Sequence, residues 1–167
     1  MISTNPNLNK KTLHSKHEKL VAKSDIIFVT TEVLKEDAHS IANDKEIVTV
    51  ANGVDVDFFE HNQNPRAPAT SNQRNKKRVG YMGTYDWVDM DIICAIAQQL
   101  SDVDFLLIGL YDEQVERYRY AKPDNVFLPG RLEPYARLPA YVNTFDVGLI
   151  PFETGPITDA IDPVKLY

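Results

Sequence analysis

The chain has 167 residues, 43% hydrophobic and 25% charged, enough for about one soluble domain with a solvated surface. Its formal net charge of -6 argues against a nucleic-acid partner, because phosphate backbones need clustered Lys and Arg. A single cysteine, Cys94, excludes an internal disulfide framework and a Cys-based zinc site, and no stretch approaches the ~20 apolar residues of a membrane span. With no apolar leader core between Met1 and Lys11, a cytoplasmic location is expected.

Taken in chain order, residues 1–10 read as frayed. Thr12 to Lys23 reads as a helix with Leu13, Leu20 and Val21 on one side. Asp25-Ile-Ile-Phe-Val-Thr30 is β-branched and aromatic and reads as a buried strand. Thr30 or Thr31 can cap a helix from Glu32 to about Ala42, which Asn43-Asp44 ends. Ile47 to Val50 is a second strand, and Ala51-Asn-Gly-Val54 turns the chain. His61 to Asn75, with two prolines and many Asn, Gln and Ser, cannot bury a core and reads as a linker. The basic run Arg74 to Arg78 beside it reads as a solvated linker edge.

A regular alternation follows. Strands are expected at Arg78–Gly83, Asp104–Gly109, Val126–Gly130 and Val147–Phe152. Helices are expected at Asp91–Leu100, with Ile92, Ile93, Ile96, Ala97 and Leu100 on one face, at Tyr111–Tyr120 and at Tyr135–Val142. The start of one more is expected at Asp162. Apolar strand runs without alternation indicate burial on both faces, and helices between them supply parallel crossovers. The class is therefore α/β, a doubly wound, Rossmann-like parallel sheet.

Ligands of such sheets sit at the carboxyl ends of the strands. Gly83, Gly109 and Gly130 end three successive strands there, so they can form a rim that a ligand approaches closely. Gly83-Thr-Tyr-Asp-Trp-Val-Asp-Met-Asp91 is neither a P-loop nor a dinucleotide fingerprint, and from the residues alone a plain strand-to-helix turn accounts for it better than a ligand site does. Trp87 can cover a helix end or stack on a base or sugar. Arg131 is either a ligand contact or an exposed surface arginine. Lys165, after Asp162-Pro163, offers a point charge to a bound anion. Cys94 reads as a core filler. His14 and His17 have an i, i+3 spacing, but solvated helix positions explain them, and no metal is expected.

The ordered set of these pieces resembles the GT-B glycosyltransferases, in particular the glycosyl transferases group 1 class of bacterial surface-polysaccharide enzymes. The segments that carry the likeness are Ser24 to Thr31, Val50-Ala-Asn-Gly-Val-Asp55 with Phe58, Val79 to Gly83, Asp86-Trp-Val-Asp89, Phe145 to Phe152 and Asp162 to Tyr167. The resemblance implies a partial enzyme, inactive or nearly so in this length. It implies that 1–51 is the end of an N-terminal acceptor-side domain, 52–77 a junction and linker, and 78–167 a partial nucleotide-sugar-binding domain.

It further implies a nucleotide-diphosphate sugar as donor and no cofactor or bound metal. The acceptor would be a glycan or lipid-linked molecule, and the full-length enzyme would associate peripherally with the inner face of the membrane. Substrate contacts are expected from Gly83, Thr84, Tyr85, Trp87, Gly109, Gly130, Arg131, Asp162 and Lys165, with no catalytic residue assigned. Thr84 and Tyr85 stand where many relatives carry Arg and Lys. The acidic residue that holds the ribose in relatives is expected just after Tyr167. The alternatives are a non-catalytic nucleotide-binding or interaction module of Rossmann type, and a flavodoxin-like or response-regulator domain.

Overall fold

A computed structural model of the protein describes residues 10–61, 76–110, 113–133 and 135–166. Most of the expected frayed N-terminus and all but the first residue of the expected linker lie outside them. The described chain separates into two compact units, one of residues 1–54 with 154–167 and the other of 55–153. The boundary drawn from sequence, with 78–167 as one body, differs at its far end: residues 154–167 group with the N-terminal part.

In the first unit, α1 (Lys10–Lys23) precedes β1 (Ile26–Val29), α2 (Glu32–Ile41) and β2 (Glu46–Thr49). β1 and β2 pair in parallel, Ile26 opposite Glu46 through Val29 opposite Thr49. Thr31 caps α2, its hydroxyl accepting from the Leu34 amide at 3.3 Å, and Glu32 complements the helix dipole. Among the described residues, the buried apolar side chains of this unit are Val21, Ala38, Ile47 and Ala160. β1 is not the buried strand its composition suggests, since Phe28 is 63% exposed and Ile26 is also exposed. Leu20 of α1 is likewise exposed, at 68%. A two-stranded sheet has too few layers to cover both faces of its strands.

The second unit opens with α3 (Val56–His61), where Asp55 accepts from the Phe58 amide at 3.0 Å and Phe59 packs into a core cluster. Its sheet contains β3 (Lys77–Met82), β4 (Val103–Ile108), β5 (Val126–Gly130) and β6 (Val147–Gly148), in the order β5-β4-β3-β6 and parallel throughout. α4 (Met90–Gln99) crosses from β3 to β4. Asp89 caps it by accepting from the Ile92 amide at 2.8 Å.

Only part of the expected apolar stripe of α4 is buried. Met90, Ile93 and Ala97 face the core, whereas Ile92, Ile96 and Leu100 are exposed. One core cluster joins Tyr81, Tyr85, Ile93, Phe105, Leu107 and Val115; a second joins Leu106, Ile108, Leu132, Leu138 and Tyr141. Helix on one side and helix on the other is the doubly wound plan.

The shorter elements depart from expectation. The helix expected over 111–120 is two single turns, α5 (Glu113–Glu116) and α6 (Tyr118–Ala121). The one expected over 135–142 is a 3₁₀ turn at Tyr135–Arg137 followed by α7 (Leu138–Val142), where Pro139 sits in the first turn. β6 stops at Gly148 rather than Phe152. Leu149 still donates to the Gly80 carbonyl at 2.8 Å, but Pro151 has no N–H to extend the ladder. Its carbonyl accepts instead from Asp89, and Phe152 forms an antiparallel bridge to Val88. The helix expected from Asp162 is a 3₁₀ turn over Val164–Leu166.

Candidate functional site

In the 55–153 unit the three strand-terminal glycines do come together. The Gly83 amide donates to the Ile108 carbonyl at 2.9 Å, and the Gly109 amide donates to the Gly130 carbonyl at 3.2 Å. The three positions therefore form one edge at the carboxyl ends of β3, β4 and β5. Gly83 and Gly130 adopt φ of 148° and 81°, which side chains rarely tolerate. Gly109 is required for a different reason: a Cβ there would stand 1.9 Å from the Gly83 carbonyl oxygen and 2.8 Å from the Tyr85 ring.

Tyr85 is accordingly a core residue rather than a substrate contact. It is 1% exposed, and its hydroxyl donates to the Leu107 carbonyl at 2.9 Å. Tyr81 folds the turn from below by donating to the Thr84 carbonyl. Burial, and then the charge of Asp86, push the Tyr81 phenol well above its ordinary range, so it remains a donor. Thr84 and Asp86 are exposed on the turn. Trp87 is half-buried, edge-on to Phe152 at 6.3 Å, with its carbonyl accepting from the Glu153 amide at 2.8 Å.

The start of α4 is already capped by Asp89. Asp91 in its first turn accepts from Tyr118, whose hydroxyl in turn accepts from Arg117 at 2.6 Å. Arg131 is exposed, and its guanidinium pairs with Glu133. A cavity of about 360 Å³ lies at the opposite, amino-terminal edge of the sheet, lined by Lys76, Asp104 and Asn125 among others.

The other two expected contacts, Asp162 and Lys165, belong to the first unit. Asp162 is bound twice by Asn52: the Asn52 amide donates to Asp162 Oδ2 at 2.8 Å, and Asn52 Nδ2 donates to the Asp162 carbonyl at 2.7 Å. The Thr31 hydroxyl donates to the Ala160 carbonyl at 3.1 Å. Lys165 follows in the turn, and partial burial holds its ammonium pKa below the ordinary lysine range. Asn52 was legible only as a turn residue, because its partner lies 110 positions away and no local spacing signals it.

His14 and His17 each have their own carboxylate, Glu18 and Asp37, both at 3.3 Å. Among the described residues no group of three or more His, Cys, Asp or Glu could hold a metal ion. Cys94 is half-buried, and its thiol is pushed up by burial and then by Asp91. Among the described residues no helix is long and apolar enough to cross a membrane.

No protein-family model matches the chain. TuaH of Bacillus subtilis (strain 168), named as a glycosyltransferase of teichuronic acid biosynthesis, is 26% identical over 165 residues, 95% of this chain and 41% of that protein. Sucrose-phosphate synthase (tll1590) from Thermosynechococcus elongatus matches in structure with a TM-score of 0.67 and 17% identity, over 94% of this chain and 43% of that one. The chain is thus a distant homologue of a glycosyltransferase over most of its length, and its α/β fold is that of part of a GT-B enzyme. It spans about four-tenths of the length of each.

Proposed function

We propose that the chain is part of a glycosyltransferase that moves a sugar from a nucleotide-diphosphate donor to a cell-surface glycan or a lipid-linked acceptor. The observation that carries this reading is the convergence of two likenesses, one in sequence and one in fold, each covering more than nine-tenths of the chain. In this reaction the bond from the anomeric carbon to the phosphate oxygen breaks, and negative charge grows on the leaving diphosphate. Oriented N–H donors and a cation stabilise such charge best when they are fixed beforehand. The glycine-ended strands of the 55–153 unit allow the backbone to approach such a diphosphate closely. The same reading places the enzyme at the cytoplasmic face of the membrane and needs no resident metal.

A non-catalytic interaction module is favoured by two particulars: Asp89 already occupies the start of α4, and Arg131 is paired with Glu133. Thermal unfolding with UDP, GDP and their sugars, beside ADP and FMN, separates the readings. Ligand at 100 times its dissociation constant stabilises by about 2.7 kcal/mol. A rise in Tm with a UDP- or GDP-linked ligand, and none with FMN, is expected. No rise with any UDP- or GDP-linked ligand overturns the donor-binding reading and favours the non-catalytic one.

A further inference from the structure

Asn52-Gly53 is the one Asn-Gly step in the sequence. An asparagine reacts with its own chain when the next backbone nitrogen reaches its side-chain carbonyl carbon. A side chain on the following residue hinders that approach. Glycine has none, and it tolerates the backbone angles that ring closure needs. The surroundings of the pair leave this route open. Residues 50–55 lie in neither helix nor strand, and Gly53 is exposed. A Cβ on Gly53 would meet nothing within 4 Å. Among the described residues no group accepts a hydrogen bond from the Gly53 amide.

Other asparagines differ on these points. Asn125 is followed by Val126, whose amide donates to the Pro123 carbonyl at 3.0 Å. Its own Nδ2 donates to the carbonyls of Ala97, Leu100 and Val103 at 2.9, 3.0 and 2.8 Å. Asn143 is followed by Thr144, whose amide donates to the Tyr141 carbonyl at 2.9 Å. What restrains Asn52 is Asp162. The Asn52 amide donates to Asp162 Oδ2 at 2.8 Å and Asn52 Nδ2 donates to the Asp162 carbonyl at 2.7 Å, both bonds partly buried. While both are made, the Asn52 side chain is fixed and the nitrogen that must depart is engaged. Ring closure therefore waits for this clasp to open.

We propose that Asn52 is a deamidation site gated by its Asp162 clasp, and that its conversion irreversibly loosens the 160–162 stretch. The Gly53 amide gives its proton to a solvent base, and its nitrogen bonds to Asn52 Cγ. The Cγ–Nδ2 bond breaks, and Nδ2 leaves as ammonia with a proton from water. Water then opens the cyclic imide at either carbonyl, leaving aspartate or isoaspartate at position 52. A carboxylate oxygen now stands where the Nδ2 donor stood. It has no proton to offer the Asp162 carbonyl, so two acceptors face each other. Isoaspartate also lengthens the main chain by one methylene. The bond from the Thr31 hydroxyl to the Ala160 carbonyl at 3.1 Å does not depend on Asn52 and persists.

The test incubates the full 167-residue chain, folded in buffer and unfolded in urea, and follows Asn52 by peptide mass spectrometry with isoaspartate detection. The folded wild type converts at Asn52, more slowly than the unfolded chain, and faster in mildly alkaline than in neutral buffer. Asp162→Ala quickens conversion of the folded chain on the order of tenfold, the equivalent of about one hydrogen bond, and leaves the rate in urea unchanged. Gly53→Ala slows it in both states. Amide exchange across 160–162 quickens in the converted protein and in Asn52→Asp.

A folded chain that stays unconverted, with and without Asp162→Ala, while the unfolded chain converts, overturns the site. Equal rates in folded wild type and folded Asp162→Ala overturn the gating. Unchanged exchange across 160–162 after conversion overturns the loosening. Should Asp162→Ala fail to fold, Asp162→Asn, which keeps an acceptor without the charge, takes its place: a quickened rate supports the gating and an unchanged one overturns it.

Discussion

A Cβ on Gly80 would lie 2.1 Å from the ring of Phe145, and one on Gly109 would lie 1.9 Å from the Gly83 carbonyl oxygen. Neither position is glycine for its backbone angles; both are glycine because something passes too close. Gly80→Ala should destabilise by about 1–3 kcal/mol, the range of overpacked cores, and Gly109→Ala by more, because backbone gives way less readily than a ring. Gly148→Ala meets nothing within 4 Å and should stay within about 0.5 kcal/mol. Urea unfolding gives the order directly, and a Gly148 variant as damaged as the other two would show that strand flexibility, not crowding, sets the cost. These residues also mark what was legible at this scale. Gly83, Gly109 and Gly130 were identified as strand ends from sequence alone. That Tyr85 would fill the space beside Gly109 was not, because an aromatic in a polar turn gives no sign of which way it points.

β6 contributes two residues to the sheet, yet a clamp holds its start. The Asp146 carboxylate accepts from Lys77 Nζ at 2.7 Å and from the Arg78 amide at 2.8 Å, and the Asp146 amide donates to the Arg78 carbonyl. The Lys77 hydrogen bond, followed by the Arg78 amide, holds the Asp146 pKa below the ordinary aspartate range, and the same bond raises Lys77. A lowered carboxylate adds stability above its unfolded pKa and loses it as pH falls through the folded value. A raised lysine adds stability below its unfolded pKa and loses it as pH rises through the folded value. The Tm gap between wild type and Asp146→Asn should therefore be widest near neutral pH and close toward both acid and strongly alkaline pH; both groups are surface-exposed, so salt should narrow it too. A gap that does not change with pH would remove the ion pair from the account. Elements with strong periodicity, such as α2, β3, β4 and β5, were legible to within a residue or two. β6 was not, because Val147 to Phe152 is uniformly apolar and only Pro151 hints that pairing changes partner there.

The two units differ in how much apolar surface they bury, and that difference should appear in how the molecule unfolds. Both core clusters, with the four-stranded sheet, lie within 55–153. The other unit has two four-residue strands and leaves Leu20, Ile26, Phe28, Val33 and Val50 exposed. Sequence could not reveal that 154–167 would complete that weaker unit, since hydrogen bonds 110 and 129 positions long have no local pattern. The spectroscopic probes happen to divide along the same line. Trp87, the only tryptophan, reports on the 55–153 unit, whereas α1 and α2, the 14- and 10-residue helices of the other unit, dominate its share of the far-UV signal. Two-state unfolding requires different probes to trace one transition. Here the far-UV signal should begin to fall at a lower urea concentration than Trp87 fluorescence, and amide exchange in α1 and α2 should be faster than in β3 and β4. If the two curves coincide, the 26–49 sheet draws stability from contacts beyond its own small core, and the division into a strong and a weak unit fails.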